Sequence, residues 1–217
     1  MGNWNSYFWL NNKPKPVKVL IGGFDAAGKT TILYCMKSIT PIIPIPTIGF
    51  NVETFKYKNF ELIAWDVGGR DKGRALIRHY FPHTEIFIYV IDSNDHERMA
   101  ESGNELLRML NENDLKDCMI LVIANKQDLK NALSVEEVKK RIEFDKITQT
   151  SKNIFGISAI TGDGLNVAFD WIINNYNNKD ANSITEPFKE TFLDVFQRQS
   201  WSEYFINVCS KVFFWNK

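Results

Sequence analysis

This sequence lacks an excess of basic residues, paired cysteines and long apolar runs. Lys plus Arg and Asp plus Glu number 26 each, which excludes the net basic charge typical of a nucleic-acid-binding protein. The three cysteines, Cys35, Cys118 and Cys209, lie far apart and form no CxxC pair, which favours a reduced intracellular compartment. The longest apolar runs have six or seven residues, far below the roughly 18 that span a bilayer, so no transmembrane helix is expected.

Glycine and proline are also scarce, at 12 and 7 of 217 residues, which excludes collagen-like and disordered proteins. Hydrophobic residues make up 44% of the chain, and the length indicates one domain with an appendage. Apolar runs predict strands at residues 17–21, 51–57, 60–65, 86–91, 119–124 and 153–157. Helical apolar stripes lie between them, so the sequence predicts an α/β fold with a mostly parallel six-stranded sheet and helices on both faces.

The chain changes in character near its end. Asn174–Thr185 is rich in Asn and predicts a linker. Phe188, Phe192 and Phe196 then begin an apolar pattern with helical spacing, which predicts two amphipathic helices. Their apolar faces must be covered, either by the rest of the chain or by a membrane surface or a partner groove.

A glycine-rich loop lies between the first predicted strand and a helical segment, and it fits the pattern GxxxxGK[ST]. Glycines let backbone N–H groups wrap a phosphate, Lys29 reaches the outer phosphates, and Thr30 supplies a hydroxyl to Mg²⁺. The loop alone does not distinguish ATP from GTP. The predicted nucleotide-binding residues of this segment are Gly23, Asp25, Ala26, Ala27, Gly28, Lys29, Thr30 and Thr31.

A second motif, NKQD at residues 125–128, directly follows a predicted buried strand and so lies at the same edge of the sheet. Asp128 can accept hydrogen bonds from the ring N–H and the exocyclic amine of guanine, which adenine does not offer. A guanine nucleotide is therefore favoured, and an ATP-using kinase is the weaker alternative because no acceptor-site signature is present. Ser158 and Ala159 are predicted to offer a backbone N–H to the guanine carbonyl oxygen. The predicted base-binding residues are Asn125, Lys126, Asp128, Ser158 and Ala159.

Two further loops are predicted to sense the γ-phosphate. Asp66 ends the third strand and can reach Mg²⁺ through water, while Thr47 offers the metal a second hydroxyl beside that of Thr30. Gly69 has no Cβ to obstruct a contact between its N–H and the γ-phosphate. Loss of that phosphate would free both loops, which predicts an order–disorder switch.

Taken together, these motifs resemble the Arf family of small GTPases. The similar segments are GFDAAGKTTILY, IPTIGFNVET, WDVGG, RHYF, DSND, NKQD and TGDGL, and the likeness covers about residues 1–178. The resemblance implies a P-loop small-GTPase fold and a GTP/GDP switch with Mg²⁺ that recruits effectors to membranes in vesicle transport. It implies an exchange factor, a GTPase-activating protein and effectors as partners, and a peripheral location on Golgi or other endomembranes. It also implies that effectors read the nucleotide state through Phe50, Trp65 and Tyr80.

The resemblance divides the chain into three predicted parts. Residues 1–15 form an amphipathic, N-myristoylated helix, residues 16–178 the GTPase domain, and residues 179–217 a linker and a helical extension that a typical Arf protein lacks. Gly2 is the predicted acylation site because Met-Gly-x-x-x-Ser is the myristoylation pattern. One myristoyl chain binds membranes only marginally, so aromatic and basic residues of the first 15 must add to the contact.

Arg70 stands where Arf proteins have the glutamine that orients the attacking water. Gln offers that water both an acceptor and a donor, whereas Arg offers donors only, so GTP hydrolysis is expected to be slow. The predicted catalytic residues are therefore Lys29, Gly69 and Arg70. Two alternatives stay open: Arg70 stabilises transition-state charge as a built-in arginine finger, or the protein is a GTP-bound membrane recruiter that scarcely hydrolyses.

Overall fold

A computed structural model describes residues 15–37, 50–57, 60–67 and 77–180 of the chain. Six strands of this part form one sheet in the order β2-β3-β1-β4-β5-β6, with every neighbouring pair parallel except the antiparallel β2 and β3. The predicted α/β fold with a mostly parallel sheet of six strands is confirmed. The strands are β1 Lys15–Gly22, β2 Phe50–Tyr57, β3 Phe60–Val67, β4 Ile86–Asp92, β5 Met119–Asn125 and β6 Lys152–Gly156.

The helices of the described part lie between the strands or after the last one. They are α1 Lys29–Lys37, α2 Met99–Leu110, α3 Val135–Arg141 and α4 Leu165–Asp180, with 3₁₀ helices at Ile77–Tyr80, Asn113–Leu115 and Phe144–Lys146. Local capping explains where α3 begins, since Ser134 Oγ accepts from the Glu137 N–H and the Glu137 carboxylate accepts from the Ser134 N–H. No helix of the described ranges is long and apolar enough to cross a membrane.

Two hydrophobic clusters cover the two faces of the sheet. Alternate residues of β4 divide between them: Ile86, Ile88 and Val90 belong to the cluster that includes α1 and α4. Phe87, Tyr89 and Ile91 belong to the cluster that includes α2 and α3. Because both faces of the central strands are buried, their sequences are continuously apolar rather than alternating.

The structure corrects the predicted start of the C-terminal linker. The Asn-rich stretch from Asn174 was predicted to be a linker, but α4 continues through it to Asp180. Ile173 and Tyr176 are buried against the sheet on that stretch, and the Tyr176 hydroxyl donates to the Glu85 carboxylate. The apolar face of the helix therefore continues beyond Asn174, where the composition becomes rich in Asn. The predicted helical extension after residue 180 lies outside the described residues.

Gly103 marks the closest approach of α2 to the end of α3, and replacing it with Ala is expected to destabilise the fold. A Cβ at Gly103 would lie 2.5 Å from Ile142 Cα, a backbone atom that cannot rotate away. Overpacking of this kind costs about 1–3 kcal/mol, more than the up to about 1 kcal/mol that Ala gains over Gly in a helix. Urea unfolding should show a lower midpoint for Gly103→Ala, whereas Asn104→Ala on the exposed face should unfold at the wild-type midpoint or slightly above it, because Ala has the higher helix propensity. Equal midpoints for both variants would contradict the packing argument.

Candidate nucleotide-binding site

The predicted motifs meet at the carboxyl edge of the parallel strands. The glycine loop follows β1, the NKQD motif begins at the last residue of β5, and Ser158 follows β6. Asp92 at the end of β4 is the register partner of Asn125 at the end of β5, so these two strand ends lie side by side. Ligands of open α/β sheets bind at this edge.

The glycine loop folds tightly around the Lys29 side chain. Gly23 and Gly28 have φ values of +130° and +98°, and a Cβ on Gly23 would lie only 2.2 Å from Val90 O. The buried Lys29 ammonium donates to Gly23 O at 3.1 Å and to Phe24 O at 2.8 Å. The cation thus stands at the N-terminus of α1, where the helix dipole also favours an anion. This set of donors fits a polyphosphate.

Asn125 joins the glycine loop to the loop after β6. Its Nδ2 donates to Ala27 O at 2.8 Å, and its Oδ1 accepts from the Ala159 N–H at 2.9 Å. The side chain is buried, and a Cβ on Gly28 would lie 2.2 Å from its Nδ2. One amide therefore fixes the distance between two loops that are more than one hundred residues apart in the chain.

Ala159 is held at its carbonyl as well. The Cys35 thiol of α1 donates to Ala159 O at 3.2 Å, which is within reach for a sulfur donor. Burial raises the pKa of this thiol to about 11, so it keeps its proton at neutral pH and serves as a donor. Sequence reasoning did not find this contact, because a lone cysteine gives no sign of its partner.

Three hydrogen bonds orient Lys126 and Gln127 of the NKQD motif. Lys126 Nζ donates to Asp92 Oδ2 at 2.6 Å, and the Lys126 backbone is left-handed with a φ of +67°. Gln127 Nε2 donates to Ser93 Oγ at 2.9 Å and to Leu133 O at 3.0 Å. The loop after β4 thus supports the base motif. Asp92 and Ser93 belong to the DSND segment that the sequence singled out without a stated role.

The groups predicted to contact guanine differ in whether they are available to a ligand. Asp128 is exposed, so its carboxylate is open to a ligand. The N–H groups of Ser158 and Ala159 donate within the chain, to Asp163 O at 3.0 Å and to Asn125 Oδ1 at 2.9 Å. The predicted donation to a guanine carbonyl therefore requires one of these internal bonds to be shared or broken.

The predicted metal ligands are only partly within the described ranges. Thr30 is the second residue of α1, next to Lys29. The backbone of Asp66 lies near the end of β3, in register with Ile21 of β1, and so at the same edge of the sheet. Thr47, Gly69, Arg70 and the predicted acylation site Gly2 lie outside the described residues. The described ranges hold no group of three His, Cys, Asp or Glu residues suited to a metal ion.

The three residues predicted to be read by effectors lie on the hairpin and the first 3₁₀ helix. Trp65 of β3 pairs with Val52 of β2, two residues beyond Phe50. Tyr80 ends the 3₁₀ helix, and the Lys18 ammonium of β1 donates to its carbonyl at 2.9 Å and to Pro82 O at 2.8 Å. This contact fixes the end of the 3₁₀ helix to the sheet.

Comparison with known proteins decides the family. Residues 5–176 match the model of the Arf (ADP-ribosylation factor) family. This chain belongs to the Arf family. Arf-family proteins are small GTPases that in general bind GTP or GDP with Mg²⁺, which agrees with the geometry of the glycine loop and the NKQD motif.

A solved structure supports the same conclusion. This Arf-family chain is similar to the Arl6 BBS3 small GTPase from Trypanosoma brucei, which was solved with the bound nucleotide analogue GppNp. The two sequences are 28% identical, and the structures superpose with a TM-score of 0.69. The match covers 75% of this chain and 98% of the Arl6 chain, so nearly the whole of that GTPase has a counterpart here.

Proposed function

We propose that this Arf-family protein is a GTP/GDP switch that recruits effectors to membranes during vesicle transport. The observation that carries the proposal is the Asn125 amide, which joins the loop suited to phosphates to the loop suited to the base. A ligand that occupies both loops must carry a base and a phosphate chain at a fixed separation. Calorimetry on folded, nucleotide-free protein with Mg²⁺ should give heat of binding with both GDP and GTP. If neither GDP nor GTP gives heat of binding, the proposal is refuted.

The switch is proposed to work through the metal and the γ-phosphate. Thr30 and Thr47 would supply hydroxyls to Mg²⁺, and Asp66 would reach the ion through water. Bound Mg²⁺ neutralises charge on the phosphate oxygens. The Gly69 N–H would contact the γ-phosphate, so that its loop is held with GTP and released with GDP. The presence or absence of the γ-phosphate thereby changes the surface that effectors contact at Phe50, Trp65 and Tyr80.

Hydrolysis is proposed to be slow because of Arg70. We expect Arg70→Gln to raise the single-turnover rate of GTP hydrolysis by at least about 10-fold, since glutamine can both accept from and donate to the attacking water. Lys29 would still hold the outer phosphates in both proteins. Quenched single-turnover assays with preloaded GTP and Mg²⁺ measure the rate directly.

Arg70→Ala is the matched control for the charge of Arg70. If Arg70 only fails to orient water, the alanine variant should hydrolyse GTP as slowly as the wild type. If Arg70 instead acts as an arginine finger, the alanine variant should be slower than the wild type. A wild-type rate equal to or above that of Arg70→Gln would contradict the proposed impairment.

A second candidate function follows from the same residue. A protein that scarcely hydrolyses GTP would stay loaded and act as a constitutive membrane recruiter rather than a cycling switch. The nucleotide on protein purified from its native cell separates these candidates, since GDP indicates cycling and GTP indicates the recruiter.

Membrane attachment is proposed to occur through the N-terminus. A myristoyl chain on Gly2 would bind a bilayer only marginally, at about 10⁴ M⁻¹, so further apolar and basic contacts must contribute. Trp4, Tyr7 and Phe8 share one face of the helix predicted for residues 1–15, which must end before Lys15 because that residue begins β1, and Lys13 and Lys15 add positive charge. The mass of the native protein reports whether Gly2 is acylated.

A further inference from the structure

Arg98 links the glycine loop to the loop that precedes α2. Its Nη1 donates to Asp25 Oδ1 at 2.9 Å, and its Nη2 and Nε both lie 2.6 Å from Asp95 Oδ2. The Arg98 N–H also donates to Asp95 Oδ1 at 3.1 Å. The guanidinium carbon lies 5.6 Å from the centroid of the Phe24 ring, which adds a cation–π contact with the glycine loop itself.

Asp25 places a carboxylate in a loop suited to phosphates. It stands between Gly23 and Gly28 and is close enough to Lys29 to feel the charge of that ammonium. A carboxylate at this position repels a phosphate chain unless another group neutralises it. Such a group must also keep the carboxylate turned away from the space that the phosphates occupy.

Arg98 neutralises this carboxylate, and its second partner, Asp95, restricts where the pair can move. Partial burial raises the pKa of the Asp25 carboxyl, but the hydrogen bond and charge of Arg98, a backbone hydrogen bond and the charge of Lys29 together hold the pKa below its ordinary value. The carboxylate is therefore ionised at neutral pH and paired with Arg98. Asp95 fixes the guanidinium from the opposite side, so the pair cannot swing freely across the loop.

We infer that Arg98 is a positioning residue for the glycine loop, which neutralises Asp25, directs its carboxylate away from the phosphates and so favours GTP over GDP. The inference rests on the proposed binding of both nucleotides. GTP carries more negative charge than GDP, so an uncompensated carboxylate weakens GTP binding more. Arg98 and Asp25 are 41% and 42% exposed, so water screens part of this effect and keeps it moderate.

The test compares the affinities of the two nucleotides in matched variants. Competition with a fluorescent guanine nucleotide in Mg²⁺ gives the ratio of the Kd for GTP to the Kd for GDP. We expect Arg98→Met to raise this ratio by about 3- to 10-fold at low salt, and the increase to shrink at 1 M salt. The double variant Asp25→Asn with Arg98→Met should return the ratio to within about twofold of the wild type, because the unpaired charge is gone.

Two controls separate this role from general support of the fold. Arg108→Met removes an arginine of α2 that pairs with Glu105 away from the loop, so its ratio should equal that of the wild type. Thermal unfolding of the nucleotide-free variants checks that they are folded, and Arg98→Gln replaces Arg98→Met if the methionine variant is not.

The outcomes that overturn the inference are distinct from failure of the proposed function. An equal loss of GTP and GDP affinity in Arg98→Met, or a double variant without rescue, would reduce Arg98 to a structural support. An unchanged ratio in Arg98→Met would show that Asp25 does not act on the phosphates. A wild-type protein that binds neither nucleotide would overturn the proposed function and this inference together.

Discussion

Asp128→Asn is expected to change the preferred nucleotide from GTP to xanthosine triphosphate. The Asp128 carboxylate can accept from both the ring N–H and the amine of guanine. An asparagine amide accepts from the ring N–H but presents its own N–H₂ to that amine. Loss of the hydrogen bond to the amine costs about 1.5–3 kcal/mol, and the two donors left facing each other add about 1–3 kcal/mol, which predicts a GTP affinity lower by about 10²- to 10⁴-fold. Xanthine carries a carbonyl in place of the amine, so it should bind the variant well.

Competition between the two nucleotides on one fluorescent probe measures this exchange of specificity. Asp114→Asn is a suitable control, because Asp114 is exposed on a 3₁₀ helix and belongs to no predicted contact with the nucleotide. The control should keep the wild-type preference for GTP. An Asp128→Asn variant that still prefers GTP would show that another group reads the base.

Loss of the Asn125 side chain is expected to weaken GTP and GDP binding alike, by at least about 100-fold. Asn125→Ala leaves Ala27 O and the Ala159 N–H without their partner at a buried position. Each unsatisfied group costs about 1–3 kcal/mol, and both loops lose their fixed separation. Equilibrium titration with each nucleotide measures the loss, and thermal unfolding of the nucleotide-free protein should show a lower Tm.

Asn94→Ala is the control for this second substitution. Asn94 is exposed in the loop after β4, where its backbone N–H donates to Asp92 and its side chain is not needed for that bond. Its nucleotide affinities should match the wild type. Affinities of Asn125→Ala within about fivefold of the wild type would mean that the two loops keep their separation without the amide.

Much of the fold could be predicted from local pattern. Continuous apolar runs predicted β4 and β5 because a strand buried on both faces has no polar alternation to show. The end of α4 could not be predicted from composition. Asn175 donates to Trp171 O one turn earlier in the helix, and Tyr176 is buried, so spacing of the apolar residues decided the structure of that stretch.

Motif spacing predicted which residues lie together at one edge of the sheet, but it did not supply the contacts among them. GxxxxGK[ST] and NKQD placed Lys29 and Asn125 at one edge of the sheet, where the structure has them. Their partners depend on strand register and on residues far away in the chain, as with Lys126 and Asp92. No local pattern carries that information. For the same reason the sequence did not reveal that the N–H groups of Ser158 and Ala159 are already bonded.

The amide of Asn125 also bears on how an exchange factor works. Because the Asn125 side chain bonds to both loops, a protein that displaces the glycine loop would also strain the bond to Ala27 O and, through Asn125, the loop of Ala159. An exchange factor that acts on the glycine loop alone would then weaken both loops and so promote release of the nucleotide. The coupling is reciprocal, so a base that binds at the loop of Ala159 would also stabilise the glycine loop in the conformation that binds phosphates.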